Sequence, residues 1–91
     1  MQGITKSGFE YDIDERILTD WRFTSTAAKV ESGSAIEKIG AAQKMVELMF
    51  GEEQLGRLMD HIASQNDGFV PTDEVMNTAK EIIEANKNLK N

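Results

Sequence analysis

The chain has 91 residues, no cysteine, and sixteen acidic against ten basic residues, for a net charge of −6. A chain this short reads as a single domain, residues 1–91, whose core is thin because it buries only about 60% of its unfolded surface. Disulfides and thiolate metal sites are excluded, and the scattered bases form no stripe that could neutralise nucleic-acid phosphates.

Residues 1–13 read as a short β-hairpin. In "GITKSGFEYDI", Phe9, Tyr11 and Ile13 alternate with Glu10 and Asp12, so the apolar residues share one face. Ser7-Gly8 supplies the turn, the glycine offering the positive φ that a tight hairpin needs. A lone hairpin is marginal in water, so this apolar face must lie on helices.

Residues 14–86 read as helical. Asp14 is placed to cap a first helix, with Glu15 in its first turn. Ile17, Leu18, Trp21, Thr24 and Ala28 recur at helical spacing, which makes Trp21 core by default and puts Phe23 on a different face. Ser32-Gly33 ends this helix, and Ser34-Ala35-Ile36-Glu37 is a capping box that starts the next. The second helix runs to Phe50, and Gly51 suits the left-handed position beyond a helix end. A third helix begins at Glu52-Glu53 and carries the stripe Leu55, Leu58, Met59 and Ile62. "SQNDGFVP" is a loop in which Phe69 and Val70 re-enter the core. Thr72 caps a last helix with the stripe Val75, Met76, Ala79, Ile82 and Ile83. Residues 87–91 form a polar tail. The expected fold is mainly α (α+β): a short N-terminal hairpin followed by about four helices in a compact bundle.

The second helix is unusually apolar. Winding it at about 100° per residue spreads Ile36, Ile39, Val46, Phe50, Ala35, Ala42, Met49 and Met45 over roughly 200°, about twice the arc a surface helix needs. Such a helix is either central in its own fold or covered by a partner. In a chain of 91 residues the first explanation suffices, and Met45 and Met49 keep the second open, because flexible thioethers suit adaptable binding surfaces. Trp21, a residue type enriched at binding hot spots, is a second candidate contact, together with Phe23 and Phe50.

Catalytic and metal chemistry finds no footing in the residues. Setting Gly68 at the sixth position of a calcium loop places Asp67 and Glu74 well, but the first ligand position is Ala63 and the ninth is Pro71. Calcium takes six to eight oxygens, so "SQNDGFVPTDEV" reads as a turn between helices. His61 is the only histidine and has no partner at metal spacing. The serines lie outside any nucleophile elbow, and the glycines outside any phosphate-cradling pattern. The carboxylates sit at helix starts rather than in the buried or paired settings that raise a pKa. The expectation is no enzyme, no catalytic or metal residues and no cofactor. No basic n-region with an apolar stretch opens the chain, and its apolar runs fall well below the ~20 residues that span a bilayer. A cytoplasmic protein without membrane or nucleic-acid partners is expected.

The order of features carries a resemblance. "GFEYDIDERILTDWRF", then "LMFGEEQLGRLMDHI", "DGFVPTDEV", "AKEIIEANK" and a terminal "KN" resemble the small tail assembly chaperones of long-tailed, siphovirus-type phages and prophages of Gram-positive bacteria. Those proteins open on a Gly-Phe-aromatic strand and an acidic entry to the first helix. A central apolar-Gly-x-Glu-Gln, an Asp-Gly-x-Val-Pro turn and a Lys/Asn-rich end follow. The chain departs from that pattern at "TDWRF" and "TSTAAK", where a more apolar and more acidic run is the rule. The resemblance implies a non-catalytic helper of the host-cell cytoplasm. It would bind the tape-measure protein and assist tail-tube assembly, and the residues read above as candidate contacts for such a partner are Trp21, Phe23, Met45, Met49 and Phe50. A homo-oligomer is a further expected partner state, given the thin core. The alternative reading is a small acidic regulatory adaptor, or a DNA mimic, that occupies a basic partner.

Overall fold

A computed structural model describes residues 1–87. Strand β1 (Gln2–Ile4) pairs antiparallel with β2 (Glu10–Asp12) in the register Gln2–Asp12, Gly3–Tyr11 and Ile4–Glu10. The Thr5 amide donates to the Phe9 carbonyl at 2.9 Å and the Gly8 amide to the Thr5 carbonyl at 2.9 Å, closing the turn. Gly8 has the positive φ its position called for. Phe9, Tyr11 and Ile13 are all buried, so the alternation in the sequence does mark the core face.

A 3-10 turn over Glu15–Thr19 follows, then α1 (Trp21–Ser32), α2 (Ala35–Ser64) and α3 (Thr72–Lys87). The chain is thus mainly helical, but with three α-helices rather than about four. Two local events separate the structure from the expectation, the first shortening the first helix and the second reducing the count. Asp14 accepts from the Arg16 amide, but the helix it starts lasts one 3-10 turn, and Asp20 adopts an extended conformation and starts α1 anew through the Arg22 amide. The helical phase of Ile17 and Leu18 is therefore not continued into α1. Trp21, expected in phase with them, emerges on the surface at 82% exposure, and Phe23 takes the core position.

The second event is at Gly51. The two helices expected on either side of it form one element, α2, with non-helical φ and ψ of 75° and 168° at Gly51. A straight 30-residue helix would measure about 45 Å, whereas the whole molecule extends 34 Å along its longest axis. Gly51 is thus an elbow between an N-terminal arm and a C-terminal arm. That backbone region is essentially closed to residues with a β-carbon. The capping box at the start of α2 is complete, with the Ser34 hydroxyl accepting from the Glu37 amide and the Glu37 carboxylate from the Ser34 amide.

The core sits where the hairpin, the elbow and α3 meet. Ile13, Leu58 and Ile82 are the most completely buried large side chains, and Phe9 packs edge-on against Phe50 with centroids 6.2 Å apart. Polar latches hold the hairpin there. The Asp12 amide donates to Gln54 Oε1 at 2.7 Å, and Gln54 Nε2 donates back to the Asp12 carbonyl at 2.9 Å. Gln54 Nε2 also reaches the Phe50 carbonyl just before the elbow. Because Gln2 and Asp12 face each other at a non-hydrogen-bonded pair, the Asp12 backbone groups point out of the sheet. The Gln54 amide takes the place of the missing third strand.

In the loop, Asp67 and Gly68 both have positive φ, and the Gly68 amide donates to the Ala63 carbonyl at 2.8 Å. Val70 packs on the core from a half-buried position, but Phe69 is 67% exposed and does not re-enter it, a correction to the sequence reading. The amides of Glu74 and Val75 both donate to the Pro71 carbonyl, so Thr72 is the first helical residue rather than the cap. Of the tail expected over 87–91, residues 88–91 lie outside the described residues, and Lys87 is the last described residue of α3. No helix among the described residues is long and apolar enough to cross a membrane.

Candidate functional site

The five candidate contact residues do not form one surface patch. Phe23, Met49 and Phe50 are core residues at 6%, 4% and 5% exposure, so each leaves little of its surface open. Their burial follows from the fold: Phe23 is the inward residue of α1, and Met49 and Phe50 precede the elbow, where the arms and the hairpin converge. Trp21 stands alone at the start of α1. Met45 is half-buried and opens onto a cleft that Phe23 and Met49 also line.

That cleft, of about 280 Å³, lies between α1 and α3 and is floored by the N-terminal arm of α2. Phe23 and Val30 contribute one wall, Met45 and Met49 the floor, and Met76 and Ile83 the other wall, with the exposed Lys80 also lining it. A second cleft of about 420 Å³ opens between the two arms of α2 and the start of α3, lined by Val46, Leu55, Met59, Val70, Val75 and Met76. Val46 and Met76 border both, so the two clefts adjoin across that pair. Methionines recur in both, and their unbranched thioethers can re-pack around different shapes. Of the residues lining this cleft, the sequence singled out Phe23, Met45 and Met49 as candidate contacts and did not single out Val30, Met76 and Ile83. The sequence signal in α3 was its apolar stripe Val75, Met76, Ala79, Ile82 and Ile83, which contains both Met76 and Ile83.

The charged groups do structural work. Asp14 receives the Arg16 side chain and backbone amide, which hold its carboxyl down from 3.8 to about 2. The Asp20 carboxyl is likewise lowered by the Arg22 side chain first and then its amide, and Glu37 by the Ser34 amide and hydroxyl. All three are helix-start groups, Asp14 and Glu37 exposed and Asp20 half-buried, and the shifts come from capping and ion pairing. In the loop that echoes a calcium site, Glu74 Oε2 accepts from Asn66 Nδ2 at 3.2 Å. No group of three or more His, Asp or Glu side chains placed to hold a metal ion occurs among the described residues. His61 Nε2 lies 3.2 Å from the Ser7 hydroxyl, and its ring tilts against Phe9 at 5.7 Å, so it fastens the hairpin tip to α2.

Comparison of the chain with protein-family models, with curated proteins and with solved structures gives no match.

Proposed function

We propose that the chain is a non-catalytic protein-binding module that holds an apolar helix of a partner in the cleft between α1 and α3. The observation that carries this reading is the composition of that cleft: Val30, Met45, Met49, Met76 and Ile83 around a groove with Lys80 beside it. Helix-in-groove recognition uses such a surface, with apolar anchors of the guest helix entering a hydrophobic trough. The resemblance of the sequence motifs specifies the guest. The module acts as a tail assembly chaperone in the host cytoplasm, keeping the long helical tape-measure protein soluble while tail-tube subunits gather. Its net charge of −6 supports that reading, since a charged exterior keeps a complex with an apolar client dispersed.

Co-expression with the tape-measure protein tests it. A soluble complex is expected, and Met45→Lys or Val30→Glu should abolish it without unfolding the free chain. A tape-measure protein that stays insoluble in the presence of the wild-type chain rejects the chaperone reading. A complex that forms but dissociates steeply with rising salt, and ignores both cleft substitutions, favours the acidic-adaptor alternative. Genomic context is an independent check, because the reading requires a tail-tube gene upstream and a very long coiled-coil gene downstream.

A further inference from the structure

The two free edges of the hairpin are treated differently by the rest of the chain. Gln2 faces Asp12 and Ile4 faces Glu10 in non-hydrogen-bonded pairs, so the backbone N–H and C=O groups of all four residues point away from the sheet. On β2 the Gln54 amide pairs with both groups of Asp12 and leaves Glu10 alone on that edge. Just beyond β1 the Lys6 amide donates to Glu81 Oε2 at 2.9 Å, so a side chain of α3 closes the turn end. The outward groups of Gln2 and Ile4, two donors and two acceptors, are engaged by no other described residue. All three residues of β1 are exposed, and Ile4, at 65%, is the one apolar side chain on the outer face of the hairpin. Natural edge strands are blunted by charged residues or proline, and Gln2–Ile4 has neither.

We propose that β1 pairs antiparallel with β1 of a second copy of the chain, about a two-fold axis at Gly3, joining two hairpins into one four-stranded sheet. A strand edge accepts an extended chain, because its donors and acceptors recur at every second residue. Three features single out a second copy as that chain. The open stretch is bounded, with its outward groups at the first and last of three residues. A two-fold through the middle therefore sets Gln2 of each copy opposite Ile4 of the other, two hydrogen bonds to a pair, and leaves no outward group of the stretch unmatched. Gly3 meets Gly3 at the axis in a non-hydrogen-bonded pair, where Cα atoms come within about 4.5 Å. Glycine keeps that crossing clear, and the Tyr11 hydroxyl of each hairpin already fills the space a Gly3 side chain would need. Finally, β1 is uncharged, and two copies carrying −6 each repel least along such a strip. Ile4 of each copy lies beside the Gln2 stem of the other, which covers part of its apolar surface. With three residues a side the contact is weak and builds up only at high concentration. It uses neither cleft, so it stands independently of the chaperone reading.

Amide hydrogen exchange followed by NMR as the chain is concentrated from micromolar to millimolar is the first test. Exchange at the Gln2 and Ile4 amides should slow severalfold over that range. The Glu10 amide also points outward but lies outside the contact, so its exchange should not change. Rates at Gln2 and Ile4 that ignore concentration, or a slowing that Glu10 shares equally, overturn the proposal. Ile4→Pro removes an outward N–H that the hairpin does not use, a position where an edge strand tolerates proline. Sedimentation equilibrium should then show a monomer at concentrations where the wild type dimerises, while the Thr5 and Tyr11 amides stay protected. A dimer that survives Ile4→Pro overturns the proposal. A cross-linking experiment guards against misfolding of that variant. The chain has no cysteine of its own, and residues opposite each other in a hydrogen-bonded pair have Cα atoms about 5.5 Å apart, within disulfide reach. An equal mixture of Gln2→Cys and Ile4→Cys chains should give mainly the mixed disulfide on mild oxidation. A statistical mixture of the three possible dimers would overturn the register and with it the proposal.

Discussion

The two ends of the N-terminal arm of α2 have similar sequences and opposite environments. Residues 35–40 include Ala35, Ile36 and Ile39 and are exposed throughout, whereas Val46, Met49 and Phe50 on the same arm are buried. Both stretches belong to the wide apolar arc that posed a choice between a central helix and a partner-covered one. The structure divides that choice along the helix axis. The end near the elbow meets the hairpin, the second arm and α3, and forms the core. The far end has α1 on one side and carries its isoleucines into the open. Apolar content measures how much surface a helix would gain by covering, and the neighbours decide which part is covered within the chain.

The sharpest way to test this contrast is to truncate one side chain at each end. Met49→Ala, at the buried end, should lower the unfolding free energy by about 2–5 kcal/mol. Ile36→Ala should change it by no more than about 0.5 kcal/mol in the monomer. Urea unfolding at low protein concentration measures both, and equal losses would erase the distinction between the ends. Next in size, Gly51→Ala forces a β-carbon into a backbone region that is essentially glycine's own, at a cost of about 1–3 kcal/mol. Because an ordinary residue there favours a continuous helix, small-angle scattering should show a longer particle. A variant as stable and as compact as the wild type would mean that the elbow is not held by this residue.

Gln54→Ala removes the side chain that pairs with both backbone groups of Asp12. The expected loss is about 1–2 kcal/mol, with faster hydrogen exchange at the Asp12 amide and little change in the exposed turns of α2. The smallest effect concerns Asp14. Its folded-state pKa lies below its unfolded value, so whatever stability the Arg16 pairing adds is present above pH ~4 and lost as pH falls from there through about 2. Asp14 and Arg16 are both exposed, so screening keeps the contribution small. Asp14→Asn should flatten the stability profile across that window and leave it unchanged near neutrality, as thermal unfolding at a series of pH values would show.

How much of this was legible depends on the range of the interaction involved. The hairpin face, the Ser34–Glu37 capping box and the special role of Gly51 are local, and the residue pattern declares them. The surface position of Trp21 is not, because it turns on a phase change at Asp20 that both a continuous and an interrupted helix would accommodate. Phe69 was misplaced for a similar reason. The turn at Asp67-Gly68 leaves two apolar residues to fill one gap, and Val70 takes it. The candidate cleft was half legible: its methionine floor lies on one helix, but its walls come from α1 and α3, which meet only in the folded chain. Gln54 could not have been anticipated, since a glutamine near a helix start usually faces water and here completes the edge of a sheet distant in sequence.

The elbow also constrains how the gene can drift. Any single-base change that replaces the residue encoded by a glycine codon introduces a side chain, and none can readily occupy the backbone geometry found at Gly51. Gly40 and Gly56, on the same helix, have ordinary φ and open space around them, so they have several tolerated substitutions one base away. In a library of random point variants screened for folding of the free chain, substitutions should accumulate at positions 40 and 56 and be depleted at 51. Three glycine codons with the same mutational supply would then show different survival, and the difference would mark where the long helix bends.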